Sequence, residues 1–275
     1  MYKKILTIQD ISCVGQCSLT VALPIISACK METCILPSAV LSTHTAGFKG
    51  FTFADLTDEM PKIADHWKRE NISFAAIYTG YLGSQKQIDY VKDIRNNLLE
   101  DGGKMIVDPA MADNGKLYPA FDMEFVKSMR TLCEGADIIL PNITEACLIA
   151  DVEYKETYDY EYIDGLLKKL HDIGAKKIVL TGVGYKQGKT GVAVYDGENH
   201  LYYEHDKISK GCHGTGDVYA SAFVGALLNG KSEFDAATIA ADFTVECIKN
   251  TIDDESHWYG VKFEKCLEYL IDRIK

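Results

Sequence analysis

Gly211-Cys212-His213-Gly214-Thr215-Gly216-Asp217 runs without a break into Val218-Tyr219-Ala220-Ser221-Ala222-Phe223-Val224-Gly225-Ala226-Leu227-Leu228. A glycine-rich turn that opens an apolar helix is a ready anion site. The glycines let backbone N–H groups converge, and the helix dipole adds partial positive charge at the same point. Asp217 falls in the first turn, where that dipole favours an ionised carboxylate. Beside an anion hole, such a carboxylate can take the proton of a hydroxyl whose oxygen attacks phosphorus. Alone, the stretch reads equally well as a glycine turn followed by a helix-starting acid.

Working outward, short β-rich runs alternate with longer runs of helical period, the pattern of parallel strands joined by helical crossovers. Strands are expected at Lys4–Ile8, Thr33–Leu36, Phe74–Thr79, Lys104–Val107, Asp137–Leu140, Lys177–Thr181, Gly191–Tyr195 and Leu201–Glu204. Helices are expected at Ser18–Cys29, Leu56–Glu70, Gln85–Leu99, Asp122–Cys133, Thr144–Ala150, Asp159–Ile173, Thr215–Asn229, Phe234–Ile248 and Val261–Arg273. Ser84 and Ser232 each stand three residues before an amide or acid, a capping pattern. Pro61 sits early in its helix, whereas Pro24 lies deep enough in the first helix to delay or kink it. The 275 residues show no repeat or linker, so one domain over residues 1–275 is expected.

A formal net charge of -11 makes a phosphate-coating basic surface a poor expectation, and with it nucleic acid as a partner. Nine cysteines without a C-x-x-C pair read as reduced thiols. The apolar stretch within Met1–Gln9 is too short for a signal segment or a membrane span, so the cytoplasm is the expected setting.

Gly214-Thr215-Gly216-Asp217 resembles the G-T-G-D signature of the ribokinase-like kinases, and further segments resemble the pyridoxal kinases in order along nearly the whole chain. The resemblance implies a central, mainly parallel sheet flanked by helices in a three-layer α/β sandwich. It also implies an anion cradle at Gly214, Thr215 and Gly216, with Asp217 as catalytic base. Asp10 and Ser12, after the first strand, are substrate-side candidates. Pyridoxal kinases usually carry Ser in the place of Asp10, whereas hydroxymethylpyrimidine kinases carry Asp. Ser42-Thr43-His44-Thr45-Ala46-Gly47-Phe48 resembles the substrate-covering loop, which points to His44 and Thr45. Thr79-Gly80-Tyr81-Leu82-Gly83-Ser84 is similar to G-Y-L-G-S, with Tyr81 set to pack on a pyridine ring.

On the nucleotide side, Val107-Asp108-Pro109-Ala110-Met111-Ala112-Asp113 resembles D-P-V-M/L-G-D and Pro141-Asn142-Ile143-Thr144-Glu145 resembles P-N-x-x-E. Carried over, Asp108 and Glu145 organise Mg²⁺, while Asp113, Tyr118, Asn142, Thr181 and Gly182 approach the nucleotide with Gly214 and Gly216. Asn142 with Glu145 three residues on is equally a helix-capping pattern. The implied reaction is ATP-dependent phosphorylation of the 5′-hydroxymethyl of pyridoxal, pyridoxamine or pyridoxine. Mg²⁺ would accompany ATP, a monovalent cation such as K⁺ is compatible, and a homodimer is the implied assembly. A hydroxymethylpyrimidine kinase, which Cys212-His213-Gly214 also resembles, and a non-catalytic nucleotide or vitamer sensor on the same fold remain alternatives.

Other chemistries lack their residues. Gly188-Lys189-Thr190 fails as a phosphate loop because Val183 stands where the first glycine belongs, and the stretch reads as a hairpin. No G-x-G-x-x-G follows the first strand, and neither H-E-x-x-H nor G-x-S-x-G occurs. His200 and His205 are an odd number apart on an expected strand and so face opposite ways.

Overall fold

The computed structural model describes residues 3–208 and 212–275; Gly211, the first glycine of the decisive turn, lies outside the described residues. The chain alternates as expected. β1 (Lys4–Val14), α1 (Leu19–Ala28), β2 (Glu32–Thr43), β3 (Phe53–Asp55), α2 (Met60–Arg69), β4 (Phe74–Thr79), α3 (Gln85–Leu98) and β5 (Leu99–Val107) form the first half. A small hairpin follows, β6 (Ala112–Asp113) and β7 (Lys116–Leu117), then α4 (Met123–Cys133), β8 (Ile138–Ile139), α5 (Ile143–Ala150) and α6 (Tyr160–Asp172). The chain ends with β9 (Ile178–Val183), β10 (Lys189–Tyr195), β11 (His200–Asp206), α7 (Thr215–Leu228), α8 (Glu233–Lys249), a 3-10 turn at Phe263–Cys266 and α9 (Leu267–Ile274).

Among the described residues the main sheet has nine strands in the order β11-β10-β9-β8-β5-β4-β1-β2-β3. The six from β9 to β2 run parallel, while the edge pairs are antiparallel: β10 with β9, β11 with β10, and β3 with β2. Alternation along the strands divides the interior in two. Leu6, Ile8, Ile77, Met105 and Val107 face one core with residues of α2 to α6, and Ile5, Ala76, Tyr78 and Ile106 face the other with α1, α7, α8 and α9. Each fully buried Leu, Ile or Phe contributes roughly 1.5–3 kcal/mol relative to exposure.

Several boundaries differ from expectation. β1 and β2 run on to Val14 and Thr43, so Asp10 and Ser12 lie within a strand rather than after it. The register between the two shifts beyond Gln9↔Pro37, where Pro37 has no N–H to offer, and resumes at Ile11↔Val40. β3 then pairs with Ala39–Leu41 and supports the extension. The polar residues that hid the end of β1, Asp10 and Ser12, face a cleft.

The Asn114-Gly115 loop of β6 and β7 has φ of 50° and 75°, the conformation of a two-residue hairpin turn. That dipeptide was the overlooked signal. Pro24 neither delays α1 nor ends it. The helix expected over Val261–Arg273 opens instead as the 3-10 turn. Thr251 Oγ1 accepts from Lys262 N at 2.9 Å and holds the chain there in place. Ser84 accepts from Gln87 N at 3.3 Å, but the Gln87 side chain turns to Gly83 N and Ser38 O rather than completing a box. The Gly188–Thr190 stretch does enter a hairpin, with β10 returning along β9. His200 and His205 face opposite ways on β11, His200 stacked on Tyr160 and His205 half-buried beside Tyr203.

Candidate active site

The parallel strands end together, and their carboxyl ends open onto a cleft of about 1050 Å³. In open α/β sheets this edge is where ligands sit. All sixteen residues singled out from the sequence line this cleft: Asp10, Ser12, His44, Thr45, Tyr81, Asp108, Asp113, Tyr118, Asn142, Glu145, Thr181, Gly182, Gly214, Thr215, Gly216 and Asp217.

The anion end is built by the start of α7. Gly214 is left-handed, with φ 72° and ψ 5°. A Cβ there would lie 1.9 Å from the Gln16 carbonyl oxygen, so only glycine fits. A Cβ on Gly216 would meet nothing within 4 Å, which leaves its surroundings open. No side chain of a described residue caps this helix, and the Gly214 carbonyl takes Val218 N at 3.0 Å. The first-turn N–H groups therefore keep their capacity for an anion.

Asp217 projects from that turn into the cleft. Burial pushes its carboxyl up to about 7, against the pull of the Ser18 backbone N–H, and the Asp10 carboxylate adds to the rise. Asp108 follows β5, fixed by its N–H to Thr79 O at 2.9 Å. Its carboxylate accepts no hydrogen bond from a described residue, and burial, then Glu145 and Asp217, hold it well above the usual carboxylate range. Glu145 is only 3% exposed. Its Oε2 accepts from Asn142 N at 2.9 Å, and its Oε1 from Met111 N at 3.0 Å and Ala112 N at 3.4 Å. Burial still pushes it up to about 7.

Asn142 accepts from Glu145 N at 3.0 Å and donates to Ala112 O at 2.8 Å, so the two residues form a complete capping box. The capping and cleft readings of this segment are both true of the same atoms. The box opens α5 and locks Glu145 beneath the cleft.

Five carboxylates line the cleft, and no lysine or arginine does so among the described residues. A polyphosphate could enter only with cationic help. The donors suit Mg²⁺, which takes few carboxylates and fills its shell with phosphate and water oxygens. Asp108 has free oxygens for it. Glu145, with both oxygens engaged by backbone N–H groups, fits a supporting place better than a direct one.

On the opposite side Asp10, 6% exposed, accepts from Ser12 Oγ at 3.0 Å, and burial raises its pKa. His44 Nδ1 accepts from Ala46 N at 3.2 Å, which leaves Nε2 as the protonated nitrogen donating to Tyr259 O at 2.7 Å. Burial lowers its pKa. With both nitrogens engaged by the backbone, His44 meets the cleft through its ring carbons. Thr45 is exposed at the lip, and the Tyr81 ring lies 5.5 Å from Phe121.

On the donor side, Asp113 is exposed and accepts from Asn114 N at 2.8 Å and Asn114 Nδ2 at 2.9 Å. Thr181 Oγ1 donates to Pro141 O at 3.4 Å, and Gly182 is left-handed with φ 75°. Burial raises Tyr118, with the cleft carboxylates adding to it.

Sequence reasoning missed Ser18, the Phe51 and Phe53 wall, and Ala241, Thr244, Val245 and Ile248 of α8. The four α8 residues recur at helical spacing on one face. That face reads as core from sequence, because nothing local distinguishes a cleft wall from an interior one. Among the described residues no helix is long and apolar enough to cross a membrane.

A three-layer α/β sandwich whose glycine-opened helix presents an acid to the strand-end cleft is the ribokinase-like fold. Within that class the chain belongs to the phosphomethylpyrimidine kinase family, whose profile matches residues 26–261. A Bacteroides thetaiotaomicron protein provisionally named a phosphomethylpyrimidine kinase is 40% identical, with a TM-score of 0.94 over 98% of this chain and 94% of that one. Another crystal form of it, with pyridoxal, is 39% identical at a TM-score of 0.92 over 98% of this chain and 96% of that one. The hydroxymethylpyrimidine/phosphomethylpyrimidine kinase of Aquifex aeolicus is 30% identical over 151 residues, 54% of this chain and 57% of its own length. The pyridoxine kinase of Bacillus subtilis is 30% identical over 189 residues, 66% of each chain. The matched region thus spans roughly three-fifths to two-thirds of these curated relatives.

Proposed function

We propose that this chain transfers the γ-phosphoryl group of ATP to the hydroxymethyl group of a vitamin B6 vitamer. The observation that carries the reading is the Asp217 carboxylate lining, from the uncapped first turn of α7, the cleft that Asp10 and Tyr81 also line. That a relative 39% identical was crystallised with pyridoxal supports the choice of acceptor.

In the proposed reaction the hydroxymethyl oxygen bonds to the γ-phosphorus and the bond to the departing ADP oxygen breaks. Asp217 takes the hydroxyl proton, and the N–H groups of α7's first turn receive the charge on the transferring group. Asp108 would hold Mg²⁺, with Glu145 steering the surrounding shell and Asn142 holding Glu145. When bound, the ion supplies the positive charge that the described residues of the cleft lack. Tyr81 would pack against the ring, with Asp10 and Ser12 set toward its polar edge. Asp113, Tyr118, Thr181 and Gly182 would flank the nucleotide. The same reading carries a cytoplasmic homodimer.

A second acceptor, hydroxymethylpyrimidine, is favoured by Asp10 itself, since a buried carboxyl can pair with an amino-substituted ring. The sensor reading leaves the raised carboxyl of Asp217 without a task. Purified protein with Mg·ATP, offered three B6 vitamers and hydroxymethylpyrimidine, separates the three. Vitamer turnover is expected. Turnover of the pyrimidine alone overturns the vitamin B6 assignment, and vitamer binding without ADP release overturns the kinase.

A further inference from the structure

The register between β9 and β10 breaks at the rim of the cleft. Thr181 pairs with Val192 and Val183 with Gly191, which leaves Gly182 between them without a partner on β10. This is a β-bulge. Gly182 takes φ 75°, lies exposed and lines the cleft beside Thr181. A bulge bends a strand out of its ladder, and beside an active site it serves to aim what the strand presents. A bulged glycine has little conformational preference of its own, so contacts from outside the ladder must fix it.

Tyr158, in the connection between α5 and α6, supplies them. Its single hydroxyl donates to Gly182 O at 3.3 Å and accepts from Gly184 N at 3.1 Å. A phenol can do both at once, whereas phenylalanine of nearly the same shape can do neither. The Tyr158 ring is itself held, edge-on to Tyr185 with centroids 6.4 Å apart and stacked on Tyr162 at 6.1 Å. The next residue, Asp159, caps α6 by accepting from Tyr162 N at 2.9 Å. Earlier in the same connection Tyr154 lies against Gly115, where a Cβ would come within 2.9 Å of its ring. A second tyrosine reaches the same turn: Tyr202 of β11 donates to Val183 O at 3.2 Å. Val183 is fully buried in the core and does not line the cleft. Resting on the kinase reading above, we infer that Tyr158 is a positioning residue for the nucleotide, its hydroxyl bridging Gly182 and Gly184 to fix the bulge on the ATP side of the cleft. Tyr158 does not itself line the cleft and acts through Gly182.

Tyr158→Phe and Tyr202→Phe each remove one phenol oxygen from this turn, and only the first releases Gly182. Both are expected to keep the native far-UV spectrum and to lose about 2–4 °C in Tm. Calorimetric titration with Mg·ADP is expected to show affinity weakened about fivefold in Tyr158→Phe and within about twofold of wild type in Tyr202→Phe. The KM for ATP should divide the two variants in the same way, while kcat and the KM for the vitamer stay within about twofold in both. Mg·ADP affinity unchanged in Tyr158→Phe overturns the positioning role. Equal weakening in both variants overturns it too, because it marks a general loosening of the hairpin. Wild-type protein that binds Mg·ADP yet phosphorylates no vitamer or hydroxymethylpyrimidine overturns the kinase reading, while the calorimetric comparison still decides Tyr158. Wild-type protein that binds no nucleotide overturns both.

Discussion

Asp217 shows how one carboxyl takes its character from place rather than type. Asp10, Asp108, Cys17, Tyr118 and the buried Tyr78 all lie within reach of its charge, and burial dominates its own protonation. A base must be ionised to act, so kcat/KM for the vitamer is expected to rise with pH through a limb near 7 in the free enzyme. Asp217→Asn should bind ATP normally and lose roughly 10²–10⁴-fold in kcat, checked by nucleotide titration and steady-state rates. Near-normal turnover would remove Asp217 from the chemistry. His44 makes the complementary point: the family resemblance alone makes it a substrate-side candidate, yet backbone groups occupy both of its nitrogens.

At the scale of elements, two helix starts organise the site in different ways. α5 is closed by the Asn142 and Glu145 box, whereas α7 is left uncapped behind Gly214. Asn142→Ala should cost about 0.5–2 kcal/mol in chemical denaturation, the usual worth of a cap. It should also weaken Mg²⁺ binding by freeing Glu145, as a metal titration of the nucleotide complex would show. Gly214→Ala drives a methyl into the Gln16 carbonyl. The β1–α1 connection and the anion turn would then have to part, and kcat should fall at least ~10-fold while the far-UV spectrum stays native. Unaltered turnover in this variant would show that the turn tolerates displacement.

Across the whole molecule, two cores on opposite faces of one sheet carry the stability, and the cleft at the strand ends spends some of it. A buried carboxyl whose folded pKa is raised binds its proton more tightly in the native state than in the unfolded chain. Its contribution is therefore fully present below the unfolded value near 4 and is lost as pH climbs through about 7. Unliganded Asp217→Asn, which has no such proton, should match wild type near pH 4 and exceed it above pH 7 by on the order of 1–4 kcal/mol. Denaturation midpoints across that range test this; a gap that stays constant with pH would show that Asp217 is not raised by burial.

Local signals determined the alternation of strands and helices, the helix starts at Ser84, Asp122, Asp159 and Ser232, and the glycine turn before Asp217, because periodicity and capping act over a few residues. Only the tertiary structure decided that β1 runs on under Asp10 and Ser12, whose side chains face a cleft formed with distant strands, and that β2 runs on to Thr43, where β3 pairs with it. It also decided that one face of α8 is a cleft wall, and that Ser18, in that cleft, adopts φ 54° and ψ -130°, a backbone glycine favours. A residue's burial, its charged neighbours and the strain it bears arise from segments far apart in the chain, and no window of sequence contains them.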